Sequence, residues 1–139
     1  MADPDAFAEL SEAELRNELA RVSAEVERLR MLFDRTRDIL VVHDMKGRFI
    51  EANAFAHKRL GYTREEFLEL SVGDINPQVG SIPPEQLGKN WAAMPLDGAV
   101  PVETIMKERD GTEIPMEVLV APFLEKGEQM FGIYCQTCH

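Results

Sequence analysis

Two helix signals in immediate succession, at Asn53–Gly61 and at Tyr62–Phe67, constrain this chain more than any other stretch of it. Asn53 is a strong N-cap, because its side-chain oxygen can take up a backbone N–H of the first helical turn. Gly61 suits the left-handed position that ends a helix. Together they predict a helix from Ala54 to about Leu60. Thr63 and Glu66 have the spacing of a capping box, with Tyr62 and Phe67 at the two positions of a hydrophobic staple. Helices of one or two turns are not stable alone, so both must lie on a surface that buries them. Ile39 to Asp44 is a short, β-branched apolar run, Asp44-Met45-Lys46-Gly47 makes a turn, and Arg48 to Ala52 returns as a second strand.

The rest of the chain continues the pattern. Gly73, Asn76-Pro77, Gly80 and Pro83-Pro84 mark Val72 to Pro84 as loop with one turn of helix. Pro84 fits the first turn of a helix running to about Met94, which Pro95 and Gly98 end. Val102 to Glu108 leads through Asp110-Gly111, a strong hairpin signal, into Glu113 to Leu124. Glu125-Lys126-Gly127-Glu128 turns again into Gln129 to His139. Helix, two strands, helical pieces and three strands make an α+β domain with antiparallel hairpins at both ends of its sheet.

Ahead of that domain, Leu10-Ser11-Glu12-Ala13-Glu14-Leu15 reads as a further helix start, with Ser11 and Glu14 as capping box and Leu10 and Leu15 as staple. Leu15, Leu19, Val22, Val26, Leu29 and Phe33 then alternate at four- and three-residue steps, an a/d seam. Such a seam packs either on a partner helix or on the chain's own domain. Its narrow, strictly heptad stripe favours a homodimer, with Glu25 and Arg30 placed to pair across it. The division expected is 1–34 as a coiled-coil-like dimerisation segment and 35–139 as the globular domain.

With 139 residues the chain has room for one domain and one appended element. A net charge of −10 without a basic stripe disfavours nucleic acid and anionic membranes as partners. No apolar run approaches the length of a membrane span, and the start lacks the regions of a signal peptide, so a cytoplasmic protein is expected.

Taken in order, Asp38-Ile39-Leu40-Val41-Val42-His43-Asp44, Met45-Lys46-Gly47, Arg48-Phe49-Ile50-Glu51-Ala52-Asn53, Leu60-Gly61-Tyr62-Thr63-Arg64-Glu65-Glu66-Phe67, Asp74-Ile75-Asn76-Pro77 and Lys107-Glu108-Arg109-Asp110-Gly111-Thr112 resemble the punctuation of a PAS domain. No single piece is specific; their order and spacing are. The resemblance implies a five-stranded antiparallel sheet with helices on one face, preceded here by the N-terminal amphipathic helix. It further implies a sensory and dimerising module of a larger signal-transduction protein, with any output domain lying outside this chain or on a partner. A small ligand or cofactor, when such a domain has one, sits between the sheet and the helices. With the resemblance as register and strand parity as guide, Val41 and His43 point into that space from the first strand. Thr104 and Met106 do so from the third, Met116 and Val118 from the fourth, and Tyr134, Gln136 and Cys138 from the last, with Trp91 closing the pocket from the long helix. The same residues equally describe a filled core, which would make the domain a ligand-free dimerisation module.

No cofactor is required by these residues. The Asn-Cys-Arg motif of covalent flavin photosensors is replaced by Gly73-Asp74-Ile75-Asn76-Pro77, and the long helix lacks the histidine of haem-binding oxygen sensors. A flavin held non-covalently against Trp91 stays compatible with the sequence. The competing string is Cys135-Gln136-Thr137-Cys138-His139, which reads as the C-x-x-C-H attachment site of c-type haem and would make the chain a redox or gas sensor. Its position on a strand speaks against it, since residues three apart face opposite ways. Two reduced strand cysteines are the simpler reading, and no metal site is expected. There is no phosphate loop, nucleophile elbow or H-E-x-x-H motif, so no catalytic residue is assigned and the chain is not expected to be an enzyme by itself.

Overall fold

The computed structural model describes residues 11–137, with side chains to Cys135. The chain divides into two compact units between Asp34 and Arg35.

The first unit carries helix α1, Glu12–Arg35. Ser11 caps it, its Oγ accepting the Glu14 N–H at 3.2 Å. Leu10 of the expected staple lies outside the described residues. Arg16 pairs with Glu12 at 2.7 Å, and Arg21 with both Glu18 and Glu25 at 2.8 and 3.0 Å. Glu25, expected to meet Arg30 of a partner helix, is thus bonded within its own helix. None of the residues of α1 is buried, and Leu19 and Leu29 of the apolar stripe are 70% and 65% exposed.

In the second unit, β1 (Ile39–His43) and β2 (Phe49–Ala52) form the first hairpin, and β3 (Val100–Lys107), β4 (Glu113–Glu125) and β5 (Glu128–Thr137) form the closing meander. The strands make one antiparallel sheet in the order β2-β1-β5-β4-β3, so β5 returns to the centre and pairs with β1. Between the hairpins run α2 (Ala54–Leu60), α3 (Arg64–Leu68), α4 (Val72–Ile75), α5 (Pro77–Gly80) and α6 (Pro84–Ala92). The core lies between these helices and one face of the sheet, with Ile39, Leu60, Phe67 and Phe131 fully buried at its centre.

The caps are where the residues put them. Asn53 Oδ1 accepts the Ala56 N–H at 3.0 Å, and Gly61 closes α2 in the left-handed region at φ 91°. Thr63 and Glu66 form the full capping box of α3, with the Tyr62 and Phe67 rings edge to face at 6.2 Å. The segment Val72–Gly80, expected as mostly loop, is instead two single-turn helices. Asn76 ends the first and caps the second, its Oδ1 accepting from the Gln78 and Val79 N–H groups, with Pro77 in the first turn. An asparagine-proline pair that reads as a breaker is here a stop and a start at once.

Candidate functional site: an apolar cavity between sheet and helices

The inward faces of β1, β3, β4 and β5 and the inner sides of α4, α5 and α6 border a partly open cavity of about 270 Å³, whose lining includes the exposed Asn90 and Val102. Its sheet wall includes Val41, His43, Thr104, Met106 and Val118, five of the residues that strand parity placed there, and Trp91 covers it from α6. Trp91 reaches this position because Gly47, at φ 81° in the β1–β2 turn, leaves room: a β-carbon there would stand 3.0 Å from the indole. Phe131 and Trp91 pack against the His43 imidazole, with ring centres 5.0 and 4.7 Å away, and lie 5.6 Å from each other, so the three rings form one cluster.

Met116 is buried on the same face of the sheet but does not line the cavity. The parity expected for β5 is off by one residue. Tyr134, expected to point inward, lies opposite Leu40 and Leu119, and its hydroxyl donates to Asp38 Oδ2 at 2.7 Å. The buried residues of β5 are Phe131, Ile133 and Cys135, and of these Ile133 lines the cavity. The signal that sets this was present in the turn. Glu125 pairs with Glu128, so the hairpin loop is the two residues Lys126-Gly127, both at positive φ. That loop fixes Val118 opposite Cys135 and Val120 opposite Ile133. Gln136 pairs through its backbone with Glu117, and its side chain, like Cys138, lies outside what is described.

The helical wall was read less well. Asn76, Gln78, Val79, Leu87 and Met94 line the cavity although none was singled out. Asn76 Nδ2 donates to Thr104 Oγ1 at 2.8 Å, and that hydroxyl donates on to Gln78 Oε1 at 3.1 Å. This chain of bonds fastens α5 to β3 along one edge of the cavity. Elsewhere the lining is hydrocarbon or aromatic, except for Asn90 at the surface and His43.

His43 is 1% exposed. Its Nδ1 lies 2.8 Å from the carbonyl oxygen of Asp44. A carbonyl only accepts, so Nδ1 carries the hydrogen, and in the neutral ring Nε2 is an acceptor. Burial pushes the imidazole pKa below its usual 6.5, against the smaller upward pull of the Asp44 carbonyl and carboxylate. The ring is therefore neutral at neutral pH.

Cys135 is fully buried, and burial pushes its thiol up to about 12. Covalent haem attachment needs an accessible sulfur that can be made nucleophilic, and Cys135 is neither. Among the described residues no group of three His, Cys, Asp or Glu side chains comes together to hold a metal ion.

A family model for the PAS domain matches residues 37–137, well over half of the chain. No curated protein sequence matches it significantly. Among solved structures, the PAS domain of an HTR-like protein from Haloarcula marismortui is similar at 24% identity with a TM-score of 0.78, over 88% of this chain and 99% of that one. A domain of a sensory box sensor histidine kinase/response regulator from Geobacter sulfurreducens is 23% identical with a TM-score of 0.62, over 81% and 95%. The PAS domain of a nitrogen regulation protein from Vibrio parahaemolyticus has the same fold at 12% identity, TM-score 0.59, over 78% and 96%. The match over residues 37–137, the strand order and the helices on one face agree: this chain belongs to the PAS domain family.

Proposed function

We propose that this PAS module senses a small molecule held in the cavity, and that it works as a homodimer joined partly through the apolar stripe of α1. In this reading it regulates an output domain, on the same polypeptide or on a partner, in the cytoplasm, and has no catalysis of its own. The observation that carries it is the cavity. Protein interiors pack with few voids larger than a water molecule, whereas this partly open space of about 270 Å³ reaches in beneath Trp91 and is several times the volume a water occupies. An apolar space of that size beneath a tryptophan is what a ligand site requires and a filled core lacks. The dimer is supported by the heptad spacing of Leu15, Leu19, Val22, Val26, Leu29 and Phe33, and by the exposure of α1. No described helix is long and apolar enough to cross a membrane.

The test is to fill the space. Met106 is 3% exposed and stands on β3 against the cavity. Met106→Trp should leave far-ultraviolet dichroism intact and abolish the heat of binding of an apolar bicyclic probe that the parent protein takes up. A parent that binds no such probe, with the variant destabilised by the roughly 1–3 kcal/mol of an overpacked core, would instead mark a ligand-free dimerisation module.

A further inference from the structure

We propose that the cavity selects a neutral, largely apolar molecule of about eleven non-hydrogen atoms that donates one hydrogen bond, from a hydroxyl or N–H, to Nε2 of His43. The inference rests on reading the cavity as the ligand site and says which chemistry that site accepts.

Charge comes first. None of the cavity's lining residues is Lys, Arg, Asp or Glu. A carboxylate, phosphate or ammonium would enter without a counter-charge and lose its hydration, which is prohibitive in an apolar site. The chain's net charge of −10 further repels anions.

Size comes second. An engineered apolar cavity of about 150 Å³ takes up benzene, six atoms, so the present volume scales to about eleven. A porphyrin or a flavin nucleotide is several times larger, and the phosphate of the latter would find no cation.

Polarity comes third, and it discriminates. Asn76, Thr104 and Gln78 spend their hydrogen bonds largely on one another and on the α5 backbone. His43 is different. Its Nδ1–H is committed to the Asp44 carbonyl, and among the described residues no hydrogen bond reaches Nε2. The ring packs against both Trp91 and Phe131, which also touch each other, and this three-ring cluster restricts its orientation. A donor brought to that acceptor inside a largely apolar lining gains a hydrogen bond that a ligand without one cannot make. A phenol, alcohol, indole or similar N–H compound supplies that donor. A hydrocarbon or an ether of the same shape does not.

The experiment titrates dialysed protein near neutral pH with three naphthalenes that differ only in the substituent at one carbon: 2-naphthol, 2-methoxynaphthalene and 2-naphthoate. Binding is followed by calorimetry and by the ¹⁵N resonance of His43 Nε2. We expect 2-naphthol to bind about tenfold more tightly than 2-methoxynaphthalene, the effect of one buried hydrogen bond, and 2-naphthoate not to bind detectably. The Nε2 resonance should move upfield with 2-naphthol only. His43→Phe, which keeps a flat ring packed against Trp91 and Phe131, should shrink the preference to less than about twofold; the resonance in the parent protein stands as the test if that variant fails to fold. Equal affinities for the two neutral probes with an unmoved Nε2, both still abolished by Met106→Trp, would overturn the donor rule while the cavity reading survives. Tight binding of 2-naphthoate would overturn neutrality. Failure of both neutral probes would overturn the cavity reading itself.

Discussion

Asn53 offers a test of how the domain is tied together, because one wholly buried amide makes three hydrogen bonds that join α2 to β1 and to the residue before it. Its Oδ1 accepts the N–H of Ala56 at the start of α2 and the N–H of Leu40 in β1, at 3.0 and 3.1 Å. Its Nδ2 donates to the carbonyl of Asp38 at 2.9 Å, just before β1. Asp38 is held from the other side by the Tyr134 hydroxyl on β5. Asn53→Ala removes a helix cap, about 1 kcal/mol, and leaves two further backbone groups without their partner, at about 1 kcal/mol or more each. The expected loss is therefore about 3 kcal/mol, a large share of the roughly 5–15 kcal/mol of a domain this size. Urea unfolding followed by Trp91 fluorescence and by dichroism would measure it.

Asn53→Asp separates this account from simple capping. As caps, Asn and Asp are nearly equal, so a role confined to α2 predicts little change. The structure predicts otherwise. The introduced carboxylate keeps one acceptor for Leu40 and Ala56 but turns its second oxygen on the Asp38 carbonyl, where a donor is needed, in a site with no solvent. At neutral pH the loss should match or exceed that of Asn53→Ala. Burial and the facing carbonyl raise the introduced carboxyl's folded-state pKa above its unfolded value of about 3.9. The folded state then binds the proton first, so the defect should shrink as pH falls through that raised value and the acid O–H donates to Asp38. An Asn53→Asp protein within about 0.5 kcal/mol of the parent at neutral pH would refute the reasoning.

Two further outcomes are expected. Leu19→Glu with Val26→Glu places carboxylates at successive a positions of the proposed helix pair, where burial without a counter-charge is costly; light scattering should show monomer with the domain's dichroism largely kept, and an unchanged dimer would move the interface to another surface. Because burial lowers the folded-state pKa of His43 below 6.5, its contribution to stability is complete above 6.5 and is lost as pH falls below it, since the unfolded chain takes up the proton first. His43→Phe should flatten that part of the curve of urea midpoint against pH, and an unaltered slope would show that another group titrates there.

Much of the fold was legible because it is written in local chemistry. Asn53, Gly61, Thr63 and Glu66 each meet a requirement of one helix end, and the structure finds each doing so. The inward faces of β1, β3 and β4 were legible by alternation alone: His43, Met106 and Val118 are buried as their parity requires. The last strand was misread for a specific reason. Cys135-Gln136-Thr137-Cys138 gives no clean alternation of apolar and polar residues, so parity there depends on the turn before it. A four-residue reading of Glu125–Glu128 leaves the register open, whereas the two-residue loop that forms allows only one.

The cavity itself was the least legible feature, and the reason lies in Val72–Gly80. Glycines and prolines there signal irregular chain, and an irregular segment carries no instruction about how closely it packs. What sets its height above the sheet is Asn76, held to β3 by its bond to Thr104 while it caps α5. That polar fastening sits at the edge of the space, and Val79 and Leu87 face it without filling it. A roof hung from hydrogen bonds at one rim need not close on the apolar wall opposite, as a roof of interdigitating leucines would. Asn76, Thr104 and Gln78, which keep α5 in place with their own hydrogen bonds, therefore leave His43 as the deep polar group lining the space.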